Sequence, residues 1–250
     1  MSSNKDHISC QIKYAQDQGQ YLPDRTTTLT DVFITAQVTE GLTGRWTFCG
    51  DEKQGLRDIS GNSLHAVNKG RPLSTGHSFD FKGHRYQLVI PASKLHSTDA
   101  MTVTVWLKET GPCDGQIINF WPSWCAHVWY MSKAGLFARF NGQQTDLKPC
   151  CSSGRVRPVG AWHFLAATHD RATGITQLWI DGAKDASVQA GHHALGVRNH
   201  IGVGKHIGRS LRAELRDLRV YSRALSGKEL KRVARENPPP QIRKYKLWGA

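Results

Sequence analysis

The sequence contains 250 residues, with a formal net charge of +13 and a hydrophobic fraction of 39%. A chain of this length can bury a full core, and it lacks any apolar run of about 18 residues, which excludes a membrane-spanning helix. The first ten residues, Met1 to Cys10, contain no apolar stretch of the kind found in secretory signals. We therefore expect an intracellular protein, cytoplasmic or cytoskeletal, or an extracellular one if the chain is a processed fragment.

The positive charge is concentrated toward the carboxyl end. Residues 205–250 carry 13 Lys or Arg against 4 Asp or Glu, which is +9, whereas the other 204 residues carry only +4. A basic segment of this kind favours acidic partners such as an acidic protein surface, nucleic acid or an anionic membrane.

Taken in order, the chain begins with a polar arm over residues 1–40 that contains few large apolar side chains. From Gly41 onward, short apolar segments alternate with polar turn formers, which is the pattern of strands. The predicted strands are 44–49, 78–81, 86–91, 101–108, 116–121, 127–131, 135–140, 162–169, 175–180, 201–208 and 211–221. Because helical periodicity is almost absent before residue 225, these strands predict an all-β antiparallel sandwich or barrel.

The segment from Ala161 to Gly182 gives the clearest pattern. Two aromatic and apolar strands flank a polar link, and the second strand ends at Asp181-Gly182. Asp-Gly suits a tight primed turn, because both central residues of that turn need positive φ. The segment therefore predicts an antiparallel meander.

The last predicted strand, 211–221, shows a change of parity. Apolar residues at 211, 213 and 215 alternate, and the next ones stand at 218 and 220. A slip of one residue indicates a β-bulge. The arginines between them, Arg212, Arg216 and Arg219, are predicted to point outward.

A helix is predicted over residues 226–236. Ser226 is a good N-cap, Glu229 three residues later completes a capping box, and Leu225 and Leu230 suit a hydrophobic staple. Three prolines follow at 238–240 and predict an extended, basic C-terminal arm over 238–250. The organisation is thus an arm, a folded domain over 41–237, and a second arm.

Seven segments resemble, in order, the laminin-G-like or concanavalin-A-like jelly-roll domains. They are GLTGRWTF, DISGNS, SFDFKG, MTVTVWLK, AWHFLAATHD, LWIDG and LRVYSRALS, followed by the capped helix, and they cover roughly residues 42–236. The resemblance implies two antiparallel sheets packed face to face, with binding on the concave face or rim loops. It also implies sugar or protein ligands, often with a calcium ion.

The sequence departs from the family where the metal would bind. Lys82 and Arg216 stand where the family often has acids, and a cation at either position opposes calcium binding. The remaining candidate calcium ligands are Asp58, Asp80 and Asp217. No other cofactor is expected.

We expect no catalytic residues. Glu214 and Asp217 lie three apart across the presumed bulge beside arginines, so they indicate salt-bridge partners and not a hydrolytic pair. The six cysteines suit structural thiols, although Cys113, Cys125, His127 and Cys150 leave a zinc site open as an alternative.

The sequence favours a non-catalytic interaction or structural module, an intracellular assembly subunit that docks on an acidic surface such as a microtubule or a ribonucleoprotein. The predicted partner-binding residues are Arg212, Arg216, Arg219, Lys231, Arg232, Arg235, Arg243, Lys244, Lys246 and Trp248. The alternative is a calcium-dependent carbohydrate-binding module, with Trp121 and Trp124 stacking on the glycan. Nucleic acid is a further possible partner that no recognition motif supports.

Overall fold

The computed structural model describes residues 37–70, 72–83, 87–91, 99–121, 126–131, 135–140, 151–152, 158–192, 200–206 and 209–240. The chain divides into two units, Met1–Gln37 and Val38–Ala250, and of the first unit only Gln37 is described. The predicted domain boundaries at residues 41 and 237 stay predictions. No helix in the described segments is long and apolar enough to cross a membrane.

The described part of the second unit consists mainly of strands. The strands are β1 (Leu42–Trp46), β2 (Val67–Asn68), β3 (Leu73–Ser74), β4 (Phe79–Lys82), β5 (Leu88–Pro91), β6 (Ala100–Glu109), β7 (Asp114–Trp121), β8 (Ala126–Met131), β9 (Gly135–Phe140), β10 (Cys151–Ser152), β11 (Trp162–Asp170), β12 (Ile175–Ile180), β13 (Ala183–Gln189), β14 (His200–Val203), β15 (Lys205–His206), β16 (Arg209–Ser210) and β17 (Arg212–Tyr221). Two helices accompany them, α1 (Glu52–Leu56) and α2 (Gly227–Glu236).

The strands form two antiparallel sheets. The first sheet has the order β13-β12-β11-β6-β17-β4-β3, with β1 paired to β17. The second has the order β10-β9-β8-β7-β14-β5-β2, and the short strands β15 and β16 join it beside β7. The predicted all-β, two-sheet antiparallel sandwich with one short C-terminal helix is confirmed.

The main core lies between the sheets and follows from strand alternation. In β6, Met101, Val103, Val105 and Leu107 all belong to this core. The other face of β6 is buried as well, since Thr102, Thr104 and Trp106 are at most 5% exposed. The alternation therefore separates two buried environments, and not a core from solvent.

The meander is formed as predicted. β11 pairs with β12, and β12 pairs with β13. Asp181 and Gly182 both have positive φ, 52° and 79°, which is the backbone of a type I′ turn. Asp181 also accepts a hydrogen bond from the backbone N–H of Phe164 at 2.9 Å, which fixes the turn against β11.

The predicted bulge in β17 is confirmed. The pairing of β17 with β6 shifts register between Arg216 and Arg219, and Asp217 has a φ of 50°. The inward residues on both sides of the shift, Leu215 and Leu218, are fully buried. The bulge is what lets residues on either side of the slip face the core.

Helix α2 covers the outer face of the first sheet. Ser226 caps it and Glu229 closes the capping box, as predicted. Leu225, Leu230 and Val233 enter a second hydrophobic cluster with aromatic residues of β6 and β11. The helix is therefore part of the fold, fixed by its apolar side.

Helix α1 lies in the polar segment that follows the predicted strand 44–49, where the sequence predicts a loop. Asp51 caps its N-terminus and shares a capping box with Gln54, while Gly55 and Leu56 are buried. The sequence does not predict this single helical turn, because most of its residues are polar and the burial of Gly55 and Leu56 depends on contacts with other segments. The sequence also predicts a short edge strand at 29–34, which lies outside the described residues.

Candidate binding surfaces

A chain of buried ions ties α2 to the first sheet. Asp217 accepts from Arg45 Nε at 2.9 Å, and from Arg219 Nη2 at 2.5 Å. Arg219 also pairs with Glu236 at the end of α2, and Glu236 accepts from the backbone N–H of Val38 at 2.9 Å. All four charged side chains are almost inaccessible. The network fixes the helix and the segment that enters the domain at one place.

This network sets the ionisation of Asp217. Burial opposes its charge, but the nearby charges and hydrogen bonds of Arg219 and Arg45 outweigh burial and hold the pKa of Asp217 well below its usual value. Asp217 is therefore an ionised structural anion at neutral pH.

Acid is expected to weaken the fold through this group and through Glu229, whose pKa falls to about 2, chiefly because Arg223 hydrogen-bonds to it. Both folded pKa values lie below the unfolded values of about 3.9 and 4.3, so both groups stabilise the fold above those values. That stability is lost as the pH falls through about 4 toward the folded pKa values. Urea unfolding at pH 7, 5, 4 and 3 should show the loss below pH 5, with a smaller loss in Glu229→Gln. An equal free energy of unfolding at pH 5 and pH 3 would contradict it.

Two of the predicted surface arginines are buried, which corrects the prediction that they point outward. Arg219 is 0% exposed within the ion network, and Arg216 is 4% exposed. Arg216 donates to the carbonyl of His77 and to the side-chain oxygen of Asn237, both at 2.6 Å. The sequence prediction failed because the strand alternation was correct but α2 and residue 237 cover that face. Arg212 is exposed, as predicted.

The outward side of α2 presents a stripe of cations. Lys228, Lys231 and Arg235 are exposed, and they follow the i, i+3, i+7 spacing of one helix face. Arg232 beside them is partly exposed. Arg243, Lys244, Lys246 and Trp248, the other predicted partner-binding residues, lie outside the described residues. Partner binding by any of these positions stays a prediction.

The three aspartates predicted as calcium ligands take part in other contacts, and calcium binding by them stays a prediction. Asp58 organises its own loop by accepting backbone hydrogen bonds from Arg45, Ser60 and Leu64 at 2.9–3.0 Å. The two arginines described above occupy both oxygens of Asp217. No group of three or more His, Cys, Asp or Glu side chains that could hold a metal occurs among the described residues. Calcium needs several oxygen ligands, so it would have to compete with these contacts at Asp58 and Asp217.

Asp80 is the third of these carboxylates. Burial raises its pKa, and Lys82 lies 3.9 Å from it. In the register of the first sheet, Asp80 pairs with Glu214, which in turn pairs with Lys108. Asp80, Glu214 and Lys108 therefore form a row of charged residues across three neighbouring strands of the first sheet.

The predicted reading of Glu214 and Asp217 as salt-bridge partners is confirmed. Glu214 binds Lys108 and accepts a hydrogen bond from the hydroxyl of Ser78 at 2.6 Å. Asp217 is committed to Arg45 and Arg219.

The outer face of the second sheet carries a group of buried polar side chains that the sequence prediction missed. Gln116 and Asn119 on β7 and Arg139 on β9 are 1%, 4% and 2% exposed. Asn119 and Arg139 alternate with core residues such as Phe120, so they lie on the side of the sheet that faces away from the core. Gln116 reaches the same side because the pairing shifts register between it and Ile118. His127 occupies the register position between Asn119 and Arg139. The alternation was readable from the sequence, but the burial of this face was not.

Within this group, the side-chain oxygen of Asn119 is buried and accepts no hydrogen bond from the residues that the structure describes. A buried acceptor without a donor costs about 1–3 kcal/mol. A ligand that brings a hydroxyl to this position would recover part of that free energy.

Only some of the remaining predicted site residues lie among the residues that the structure describes. Trp121 ends β7, two positions after Asn119, and Trp124 lies outside the described residues. Of the cysteines, Cys49, Cys113 and Cys151 are buried, and burial raises the pKa of the Cys113 thiol to about 12. Cys125 and Cys150 of the alternative zinc site lie outside the described residues, so that alternative stays untested.

Comparison with protein families gives one match. A laminin-G family model described as "Concanavalin A-like lectin/glucanases superfamily" matches residues 82–231. No curated protein matches the sequence.

Solved structures share the fold. The botulinum neurotoxin serotype D ligand binding domain in complex with N-acetylneuraminic acid aligns with a TM-score of 0.63 at 14% identity, over 78% of this chain and 50% of that one. The receptor binding domain of the botulinum neurotoxin C/D mosaic serotype aligns with a TM-score of 0.61 at 15% identity, over 78% and 51%. The binding domain of botulinum neurotoxin DC in complex with SialylT gives 0.58 at 13% identity, over 78% and 51%. The chain spans about half the length of each of these domains.

Proposed function

The chain belongs to the concanavalin A-like lectin/glucanase superfamily, and from that premise we propose that it is a non-catalytic glycan-binding module. The observation that carries the proposal is Asn119, a buried amide on the outer face of the second sheet whose oxygen accepts no hydrogen bond within the described part of the chain. Amides supply both donors and acceptors, which suits sugar hydroxyl groups.

The position and the chemistry of neighbouring residues both support the outer face of the second sheet as the glycan-binding face. Trp121 ends β7 two positions after Asn119, and we propose it as the stacking residue. Aromatic side chains give sugars an apolar surface to stack on. Neurotoxin binding domains of this fold have been solved in complex with N-acetylneuraminic acid and with SialylT, so domains of this fold bind glycans in those proteins.

The proposed binding is independent of calcium, unlike the alternative derived from the sequence. Asp58 and Asp217 already accept hydrogen bonds and ion pairs with both carboxylate oxygens. A calcium ion would have to compete with two buried guanidinium groups for Asp217, which is unfavourable.

The test is retention of the full chain on a glycan array, with and without a chelator. We expect at least one glycan class to be retained equally in both conditions. Asn119→Leu keeps the approximate volume and removes the amide, so binding should fall about tenfold or more, since a hydrogen bond in a dry site is worth about 1–3 kcal/mol.

The matched control is Gln177→Leu, which removes an amide from a strand of the first sheet and should leave retention unchanged. The thermal midpoint of each variant shows whether it is folded. A folded wild-type chain that no glycan retains would overturn the proposal, and so would equal binding by Asn119→Leu.

A second proposed function is that of an assembly subunit inside the cell, which docks on an acidic protein surface. It is favoured by the net charge of +9 over residues 205–250 and by the exposed cations of α2. The two functions use different sides of the sandwich, because α2 lies on the first sheet and Asn119 on the second.

A further inference from the structure

We propose that the outward face of α2, together with Lys184 of β13, is the docking surface for an acidic protein segment. We call it the cationic stripe, and it consists of Lys184, Lys228, Lys231 and Arg235. The inference rests on the second proposed function and assigns it to particular residues.

The stripe is cationic because the acids of α2 are committed elsewhere. Glu229 closes the capping box with Ser226 and pairs with Arg223. Glu236 is buried against Arg219 and the N–H of Val38. Glu229 and Glu236 are the only acids of the helix, so its outward face is left with cations alone.

The neighbouring hairpin extends the stripe. Lys231 lies beside the turn between β12 and β13, where its Cγ would be 3.1 Å from a Cβ placed on Gly182. Lys184 stands just after this turn, is exposed, and pairs with Trp179 across the strands. Gly227 at the start of α2 packs against the same Trp179. Lys184 is therefore adjacent to the N-terminal end of the helix.

The spacing suits carboxylates presented by a protein. Lys228, Lys231 and Arg235 are separated along the helix axis by rises of about 4.5 and 6 Å, at about 1.5 Å per residue. Acidic side chains at i, i+3 and i+7 of a partner helix, or at alternate positions of an extended segment, recur at similar intervals.

Other polyanions fit this surface less well. Insertion into a membrane needs a free apolar face, but Leu230 and Val233 of α2 are buried on the sheet. Binding of single-stranded nucleic acid uses aromatic side chains between the cations. The exposed residues of α2 include none.

The ion network makes the stripe rigid. Because Glu236 is held by Arg219 at one end and Ser226 caps the other, the cations need no folding of α2 on binding. A preformed surface avoids the ordering cost that a flexible basic tail would incur.

The experiment measures binding of fluorescent poly-L-glutamate to the full chain by anisotropy at low and physiological salt. Lys228→Gln, Lys231→Gln and Arg235→Gln are combined in one variant. We expect about tenfold weaker binding at low salt, since exposed pairs contribute about 0.2–1 kcal/mol each. The control combines Lys53→Gln, Lys69→Gln and Lys82→Gln, which removes the same charge from exposed positions elsewhere and should change binding less than twofold.

Each outcome separates a different claim. A wild-type chain that does not bind poly-L-glutamate overturns the second proposed function. Binding that the α2 variant and the control variant weaken equally overturns the stripe while leaving that function in place. Tighter binding of single-stranded poly-U RNA than of poly-L-glutamate overturns the choice of an acidic protein as the partner.

Discussion

Replacing Asp217 with asparagine is expected to lower the free energy of unfolding by about 3–5 kcal/mol, because it leaves two buried guanidinium groups without their shared anion. Arg45 and Arg219 are 2% and 0% exposed, so water cannot replace the lost charge. Arg219 keeps its ion pair with Glu236, whereas the ion pair between Arg45 and Asp217 is lost. Urea unfolding at pH 7 measures the loss.

Asp99→Asn is the matched control for this experiment. Asp99 pairs with Arg171 at 2.7 Å, but both side chains are largely exposed. Breaking an exposed pair costs about 0–1 kcal/mol. The free energy of unfolding of Asp217→Asn should be clearly lower than that of the control. If the two differed by less than about 1 kcal/mol, the buried network would not anchor α2 as its geometry indicates.

Replacing Trp46 with alanine should cost about 3–5 kcal/mol, the usual range for removing a large buried aromatic side chain. Trp46 is fully buried between the sheets, and its indole N–H donates to the carbonyl of Leu64 at 2.8 Å. The side chain therefore joins β1 to the loop that Asp58 organises. Thermal unfolding followed by circular dichroism measures the loss.

A second variant separates packing from hydrogen bonding at this position. Trp46→Phe keeps a ring and removes the donor, so it should cost less than Trp46→Ala but still leave the Leu64 carbonyl short of a partner, at about 1–3 kcal/mol. Val159→Ala is the control, because Val159 is 64% exposed. It should stay within about 0.5 kcal/mol of the wild type. A Trp46→Ala chain as stable as this control would contradict the assignment of Trp46 to the core.

Both experiments test features that the sequence indicated only in part. The segment GRW predicted a strand, and the DISGNS segment predicted a turn. The two segments meet through the hydrogen bond between Trp46 and Leu64, which are 18 residues apart in sequence, so no local sequence pattern contains this contact. The same holds for Asp217, which the sequence offered both as a calcium ligand and as a salt-bridge residue. Only the positions of Arg45 and Arg219 decide between them.

The candidate site shows the same division. The sequence drew attention to basic residues, and four of the predicted partner-binding positions, Arg212, Lys231, Arg232 and Arg235, are at least partly exposed. The sequence did not predict the burial of Gln116, Asn119 and Arg139. A polar residue in a strand is expected to face water unless another element is known to cover it.

What the sequence determined by itself is the set of elements and their local chemistry. Period-2 alternation, the Asp181-Gly182 turn, the parity slip in β17 and the capping box of Ser226 each act over a few residues, so each is written in the chain. What only the tertiary structure decided is which outward face is buried. Helix α2 lies across the first sheet and converts Arg216 and Arg219 from surface cations into anchors, because burial depends on contacts between residues far apart in sequence.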